Sequence, residues 1–182
     1  MRIIGGKYRG KKLISPISAD IRPTSDKARE ALFNILRSKL GSNFTALNLI
    51  DVFSGTAAFG LEAVSQGFHS VTLVDKCFDD AKKNLKLFPS EINKIKMVQT
   101  DATKDFFCSD KFDVLFMDAP YHKGLTEKAL GVCAHLLKNK ALCLIEVAKD
   151  EDTILPRSYE FLDERHYGLA KILIAEFNSE IL

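Results

Sequence analysis

The sequence of 182 residues contains no apolar run near the ~20 residues that a membrane-spanning helix needs. It contains no Cys-x-x-Cys pair either. Its four cysteines, Cys77, Cys108, Cys133 and Cys143, are scattered, so neither a disulfide scaffold nor a metal site is expected. Three of them fall in segments that read as core or near-core, which favours buried thiols in a reducing cytosol. The N-terminus, M-R-I-I-G-G-K-Y-R-G-K-K-L, is basic but has no apolar stretch after its charges; that argues against a secretory signal and for a cytoplasmic protein. No linker, repeat or low-complexity tract divides the chain, whose length suits a single core.

What is present is ordinary in bulk, with 46% hydrophobic and 27% charged residues. The charge is unevenly placed. Residues 1–22 carry Arg2, Lys7, Arg9, Lys11, Lys12 and Arg22 against Asp20 alone, a net +5. The whole chain is +2, so the other 160 residues carry −3. A basic end on a mildly acidic body suits a polyanion met by that end, or simply a solvated terminus.

Short β-type runs at 2–4 and 12–14 flank G-G-K-Y-R-G, which predicts a hairpin extension over residues 1–22. Thr24, Ser25 or Asp26 is placed to cap a helix through Ala28, Leu32, Phe33, Ile35 and Leu36 that stops near Gly41. From residue 47, apolar runs alternate with amphipathic stretches. The runs are Leu47–Phe53, Ser70–Val74, Ile95–Val98, Phe112–Met117, Ala141–Val147 and Lys171–Phe177; the helical patterns are Gly60–Gln66, Phe78–Phe88 and Leu125–Leu137. Continuous apolar strands between helices predict an α/β, doubly wound domain over 23–182, its mostly parallel sheet covered on both faces. Tyr159–Arg165 and Lys171–Phe177, around Tyr167-Gly168, predict an antiparallel pair at one edge.

In such sheets ligands sit at the carboxyl ends of strands. L-I-D51-V-F-S-G55-T-A57-A-F-G60 is an apolar strand, an acid and a small-residue loop that opens a helix. S-V-T-L-V-D75 ends the second strand in another acid, a position that accepts from ribose hydroxyls. A dinucleotide site aims its helix N-terminus at a pyrophosphate, which an acid just before the loop opposes. S-adenosylmethionine has no phosphate and carries an ammonium and a sulfonium, so Asp51 favours it. Asp101, in M-V-Q-T-D-A at the end of the third strand, is placed to accept from an adenine amino group.

F112-D-V-L-F-M-D118-A-P-Y121 carries the chemistry. An exocyclic base amine is a poor nucleophile because its lone pair is delocalised into the ring. Acceptors for both N–H bonds, the Asp118 carboxylate and the carbonyl of Ala119 or Pro120, favour a pyramidal nitrogen aimed at a methyl donor. Tyr121 is placed to stack on a base rotated out of its helix or loop. The alternative is a strand that ends in a proline turn, with Tyr121 covering the core.

Together these residues resemble the bacterial 16S ribosomal RNA guanine-N2 methyltransferases, of Rossmann-like fold with a seven-stranded sheet. The resemblance covers nearly the whole chain: M1-R-I-I-G-G-K-Y-R-G-K-K-L13, I-R22-P-T-S-D-K-A-R29-E-A-L-F-N34, D51-V-F-S-G-T, L-V-D75-K, D118-A-P-Y121 and Y167-G. It implies that Asp51, Phe53, Gly55, Ala57, Asp75, Asp101 and Ala102 line a pocket for S-adenosylmethionine. Asp118, Ala119, Pro120 and Tyr121 hold the target guanine, and Arg2, Lys7, Arg9, Lys11, Lys12, Arg22 and Arg29 contact RNA phosphates. The implied partner is ribosomal RNA in a small subunit or its assembly intermediate, met by a monomer without metal or membrane.

Two positions depart from the family pattern. Ala57 stands where glycine is usual, and Ala119 where the pattern has the first of two prolines. Pro120 already restricts Ala119 to extended backbone. At Ala57 a positive φ costs ~1–2 kcal/mol, whereas a negative φ is neutral. Other readings of the same residues are a non-catalytic RNA-binding assembly factor whose cofactor site Ala57 has closed, an adenine-N6 DNA methyltransferase, and a nicotinamide oxidoreductase, for which no hydride-transfer partner is evident.

Overall fold

A computed structural model describes residues 1–15 and 25–181. Arg22 and the expected division between 22 and 23 lie outside the described residues. The strands are β1 (Asn48–Val52), β2 (Ser70–Asp75), β3 (Ile95–Gln99), β4 (Phe112–Asp118), β5 (Leu137–Ala148), β6 (Tyr159–Tyr167) and β7 (Ala170–Phe177). The helices are α1 (Asp26–Leu40), α2 (Ala58–Ser65), α3 (Asp79–Leu85) and α4 (Leu125–Cys133). The strands form one sheet in the order β3-β2-β1-β4-β5-β7-β6. The first five in that order pair in parallel, and β7 is antiparallel to both β5 and β6. This is the doubly wound, Rossmann-like α/β fold that the alternation of apolar runs and helical patterns predicts.

Alternation along each strand divides the core into two clusters. Leu49, Val71, Leu73, Val114, Phe116, Leu142 and Leu144 join residues of α1, α2 and α3 on one face. Ile50, Val52, Val74, Leu115, Met117, Cys143, Ile145 and Val147 join α4 on the other. Local signals place the helix ends. The Ser25 side chain accepts from the Ala28 N–H at 3.1 Å and caps α1, which ends at Gly41 with φ 82°. The helical pattern expected over 125–137 divides: α4 stops at Cys133, a 3-10 turn spans Ala134–Leu136, and β5 begins at Leu137. Lys138, Asn139 and Lys140 at its start are exposed and carry no apolar signature.

The basic N-terminus closes on a single isolated bridge, Arg2 to Lys12, around a 3-10 turn at Gly6–Tyr8. It packs on the body. Ile3 is 0% exposed and Leu13 is buried with it in the first cluster. The dock is α2, buried along nearly its whole length, whose Glu62 and Ser65 face residues 4–8. Glu62 accepts from the N–H groups of Ile4 and Gly5 at 2.7 and 2.8 Å and from the Gln66 amide at 2.8 Å. Ser65 donates to the Gly5 carbonyl and accepts from the Tyr8 N–H. At Gly6 (φ 72°) a Cβ would lie 1.8 Å from the Ser65 carbonyl oxygen, so the chain passes there only as glycine.

Glu62→Ala leaves two backbone donors without their acceptor. We expect a loss of about 2–4 kcal/mol in global stability, read by thermal or urea unfolding. Limited proteolysis should then cut within residues 1–15 before the sheet.

Candidate functional site

The face assignment places four carboxylates on the side covered by α1, α2 and α3. Asp51 alternates with Ile50 and Val52, Asp75 with Val74, Asp118 with Met117 and Glu146 with Ile145 and Val147, all of which point to the opposite cluster. Register then sets their heights. Val52, the last residue of β1, pairs with Val74 and Met117, so Asp75 and Asp118 stand one residue beyond it on either side. Asp118 pairs directly with Glu146 on β5. Asp75, Asp118 and Glu146 thus share one level at the carboxyl edge, and Asp51 lies lower.

That lower position gives Asp51 a different part from the expected one. It is 1% exposed, and its Oδ2 accepts from the Gly60 N–H at 2.9 Å, which caps the first turn of α2. Burial raises its pKa to about 7; the Gly60 N–H works against this and the charge on Asp75 adds to it. Asp51 therefore supports the loop from beneath rather than standing open to a ligand's cation. Asp75 accepts from the Gly55 N–H at 2.8 Å through Oδ2 and from the Cys77 N–H at 3.1 Å through Oδ1, so it ties the β1 loop to the end of β2. Asp101 accepts from the N–H and hydroxyl of Thr103 at 3.0 and 2.7 Å and pairs with Lys76 at 3.1 Å. The Thr103 hydrogen bonds, then Lys76, hold its pKa down to about 2.

Backbone strain collects at the same edge. Four non-glycine residues among those described have positive φ: Phe53 (62°), Ala57 (62°), His122 (57°) and Lys140 (64°). The first two flank Gly55 in the β1 loop and the third follows Tyr121, where left-handed backbone persists only because the surrounding fold holds it. Ala57 is therefore in the costly conformation, at ~1–2 kcal/mol. Its methyl is 0% exposed and belongs to the first core cluster, so burial at ~0.8 kcal/mol offsets part of that cost. The methyl points into the core and leaves the outer side of the loop open. At Gly55 a Cβ would meet nothing within 4 Å. Phe53 packs against the second cluster, and Ala102 is buried within it.

Asp118 begins the D-A-P-Y turn at the end of β4; Ala119 is buried, Pro120 exposed and Tyr121 half-buried. The Tyr121 hydroxyl donates to Glu146 Oε1 at 3.0 Å, which fixes the ring beside the turn. Glu146, level with Asp118 and bonded to Tyr121, is a neighbour of the turn that the sequence reading did not name. Its signal was a lone acid inside an apolar strand.

The basic residues separate into three groups. Arg29 must be corrected: it is 0% exposed, and its guanidinium donates to the Arg2 carbonyl at 2.6 Å and to Asp26 at 2.7 Å, so it braces the N-terminus from inside and cannot meet a phosphate. Arg2, Lys7 and Lys11 are tethered, Arg2 to Asp26, Lys7 to Glu91 at 2.6 Å and Lys11 to the Leu87 carbonyl, its ammonium 4.6 Å from the Phe88 ring centroid. Glu91, held mainly by Lys7, has its pKa lowered to about 2. Arg9 and Lys12 are exposed, with no partner among the described residues.

A family model described as conserved hypothetical protein 95 matches residues 1–176. The chain is 32% identical over 178 residues to the ribosomal RNA small subunit methyltransferase D of Haemophilus influenzae, covering 93% of this chain and 90% of that one. It is 32% identical over 152 residues to the protein of that name in Escherichia coli strain K12, covering 80% and 74%. The solved structure of yhhF from Escherichia coli superposes with a TM-score of 0.82 at 25% identity, covering 98% of each chain.

Because burial raises the Asp51 pKa, the folded chain holds this proton more tightly than the unfolded chain. The stabilisation is complete below about pH 4 and is lost as pH rises to about 7, at most about 4 kcal/mol. Asp51→Asn, which still accepts from Gly60, should therefore gain on the parent between pH 4 and 8 in urea unfolding. Parallel pH curves would show that Asp51 does not titrate in this way.

Proposed function

The chain belongs to the conserved hypothetical protein 95 family, and on that premise we propose that it transfers a methyl group from S-adenosylmethionine to the exocyclic N2 of a guanine in small-subunit ribosomal RNA. The observation that carries this reading is the D118-A-P-Y121 turn at the edge of β4, one strand from the strained β1 loop and tied by Tyr121 to Glu146.

The residues present fit the cofactor. The loop over Phe53–Ala57 is short of side chains on its outer side at Gly55, and Asp75 beside it retains lone pairs for ribose hydroxyls after its two backbone contacts. The bound cofactor would supply a methyl group on a positive sulfur, already a strong electrophile. Nucleophile alignment falls to the chain. Asp118 and a carbonyl of the turn accept the two N–H bonds of the amine, and Tyr121 stacks on the base. Arg9 and Lys12, with the exposed parts of Arg2 and Lys7, meet phosphates near the target. Residues 1–22 thus serve as the RNA-facing extension and 23–182 as the transfer domain of a cytoplasmic monomer that acts on the small subunit or its assembly intermediate. Ala57 does not favour the non-catalytic reading, since its methyl lies in the core.

Labelled cofactor incubated with small subunits from cells lacking this protein should yield N2-methylguanosine, with no label in duplex DNA; label on adenine N6 would overturn the reading. Asp118→Ala should lower kcat on the order of 10²–10³-fold with cofactor affinity retained by calorimetry.

Reversal of the two unpartnered cations, Arg9→Glu with Lys12→Glu, should weaken RNA binding and reduce the slope of log affinity against log salt by about 2. Unfolding should be unchanged. An unaltered slope would make these cations a solvated surface.

A further inference from the structure

We propose that Asn84 is a positioning residue through which the basic N-terminal segment holds the β1 loop in the conformation that binds S-adenosylmethionine; this rests on the reading above that the loop receives the cofactor. Asn84 stands near the end of α3 and is 0% exposed. A buried amide is costly unless its hydrogen-bonding groups are used. Here they meet two segments far apart in the chain. Oδ1 accepts from the Ile14 N–H at 2.7 Å, while Nδ2 donates to the Ile14 carbonyl at 3.1 Å and to the Thr56 carbonyl at 3.0 Å.

The Thr56 carbonyl needs that donor because of how α2 begins. In a regular helix it would accept from the N–H of Gly60, four residues on. That N–H donates to Asp51 Oδ2 instead. Ala57, at φ 62°, turns the chain out of helical geometry directly after this carbonyl, and Asn84 stands in for the helical partner. Asn84 therefore grips the peptide that leads into the strained residue, and such strain persists only where the surroundings hold it. Ile14 decides which way the amide faces. Its N–H must meet an oxygen, which leaves the Asn84 NH₂ for the two carbonyls. An amide turned the other way would set its oxygen against the Thr56 carbonyl. The N-terminal segment thus does more than face RNA: through Ile14 and Asn84 it completes the support of the loop.

The test measures S-adenosylmethionine affinity by calorimetry, and amide hydrogen exchange at residues 54–57 with and without cofactor. Asn84→Leu keeps the size of the side chain and removes all three hydrogen bonds. Ile14→Pro removes only the orienting N–H and leaves α3 intact; the Ile14 side chain is 42% exposed, so little packing goes with it. Asn84→Leu should raise the Kd for S-adenosylmethionine by about 10-fold or more, and Ile14→Pro by less. Both should speed exchange of the Ala57 N–H in the cofactor-free protein, and KM for the cofactor should rise more than kcat falls. The double variant should bind no more weakly than Asn84→Leu alone, since both changes break one path. Unfolding weakens apparent affinity only by the inverse of the folded fraction, which urea unfolding measures, so it can be separated from this effect. An unchanged Kd in both variants would make Asn84 an anchor for the N-terminus alone and overturn the proposal. If cofactor binds the parent without slowing exchange at 54–57, the loop is not its site and the underlying reading fails instead.

Discussion

Close contact between α2 and the sheet at Gly60 is the constraint on which the site depends. A Cβ there would stand 2.5 Å from Leu73 Cδ2, 3.0 Å from Val71 Cγ1 and 3.1 Å from Asp51 Oδ2. The helix sits this low because the residue has no side chain, and Asp51 then reaches its first turn. To join β1 to so close a helix the chain must reverse sharply, which accounts for the positive φ of Phe53, Gly55 and Ala57. Asp75 holds the far side of that reversal through the Gly55 N–H. The loop is thus fixed from below by one carboxylate and from the side by another, before any ligand arrives.

The same helix organises the opposite surface. Glu62 lies two residues beyond Gly60 and holds the backbone of residues 4 and 5, while Ser65 holds Gly5 and Tyr8. One eight-residue element therefore links the loop at its N-terminus to the basic segment on its outer side. Much of that segment's charge is committed to packing. Lys7 and Lys11 fasten it beside Phe88 and Glu91, with the Tyr8 ring edge-on to Phe88 at 5.0 Å. The field of the basic end remains, because tethered ammonium groups still carry charge, but the contacts open to a polyanion are fewer than the residue count suggests.

Asp51 and Asp118 both follow apolar runs at the ends of strands, yet their environments have opposite consequences. Two residues of register put Asp51 under a helix, where burial raises its pKa to about 7. Asp118 stands at the edge, level with Glu146 on the neighbouring strand. Register thus brings carboxylates from β2, β4 and β5 to one height at this edge and leaves Asp51 below them.

The strands, the helices, the capped start of α1 and the acids at the strand ends were legible in the sequence, since hydrophobic period, capping residues and turn chemistry act within about ten residues. The D-A-P-Y turn was legible for the same reason. Tertiary structure alone decided that Ala57 takes a positive φ, that Arg29 is a buried brace, that Asp51 caps a helix and that Glu146 stands level with Asp118 and accepts from Tyr121. Each of these depends on neighbours far along the chain: Glu146 lies 25 residues from Tyr121, and Glu62 lies 58 from Ile4. A charged residue has the same local signature whether it meets solvent, a backbone N–H or a ligand. Burial and register across strands separate those cases, and they exist only once the sheet has formed.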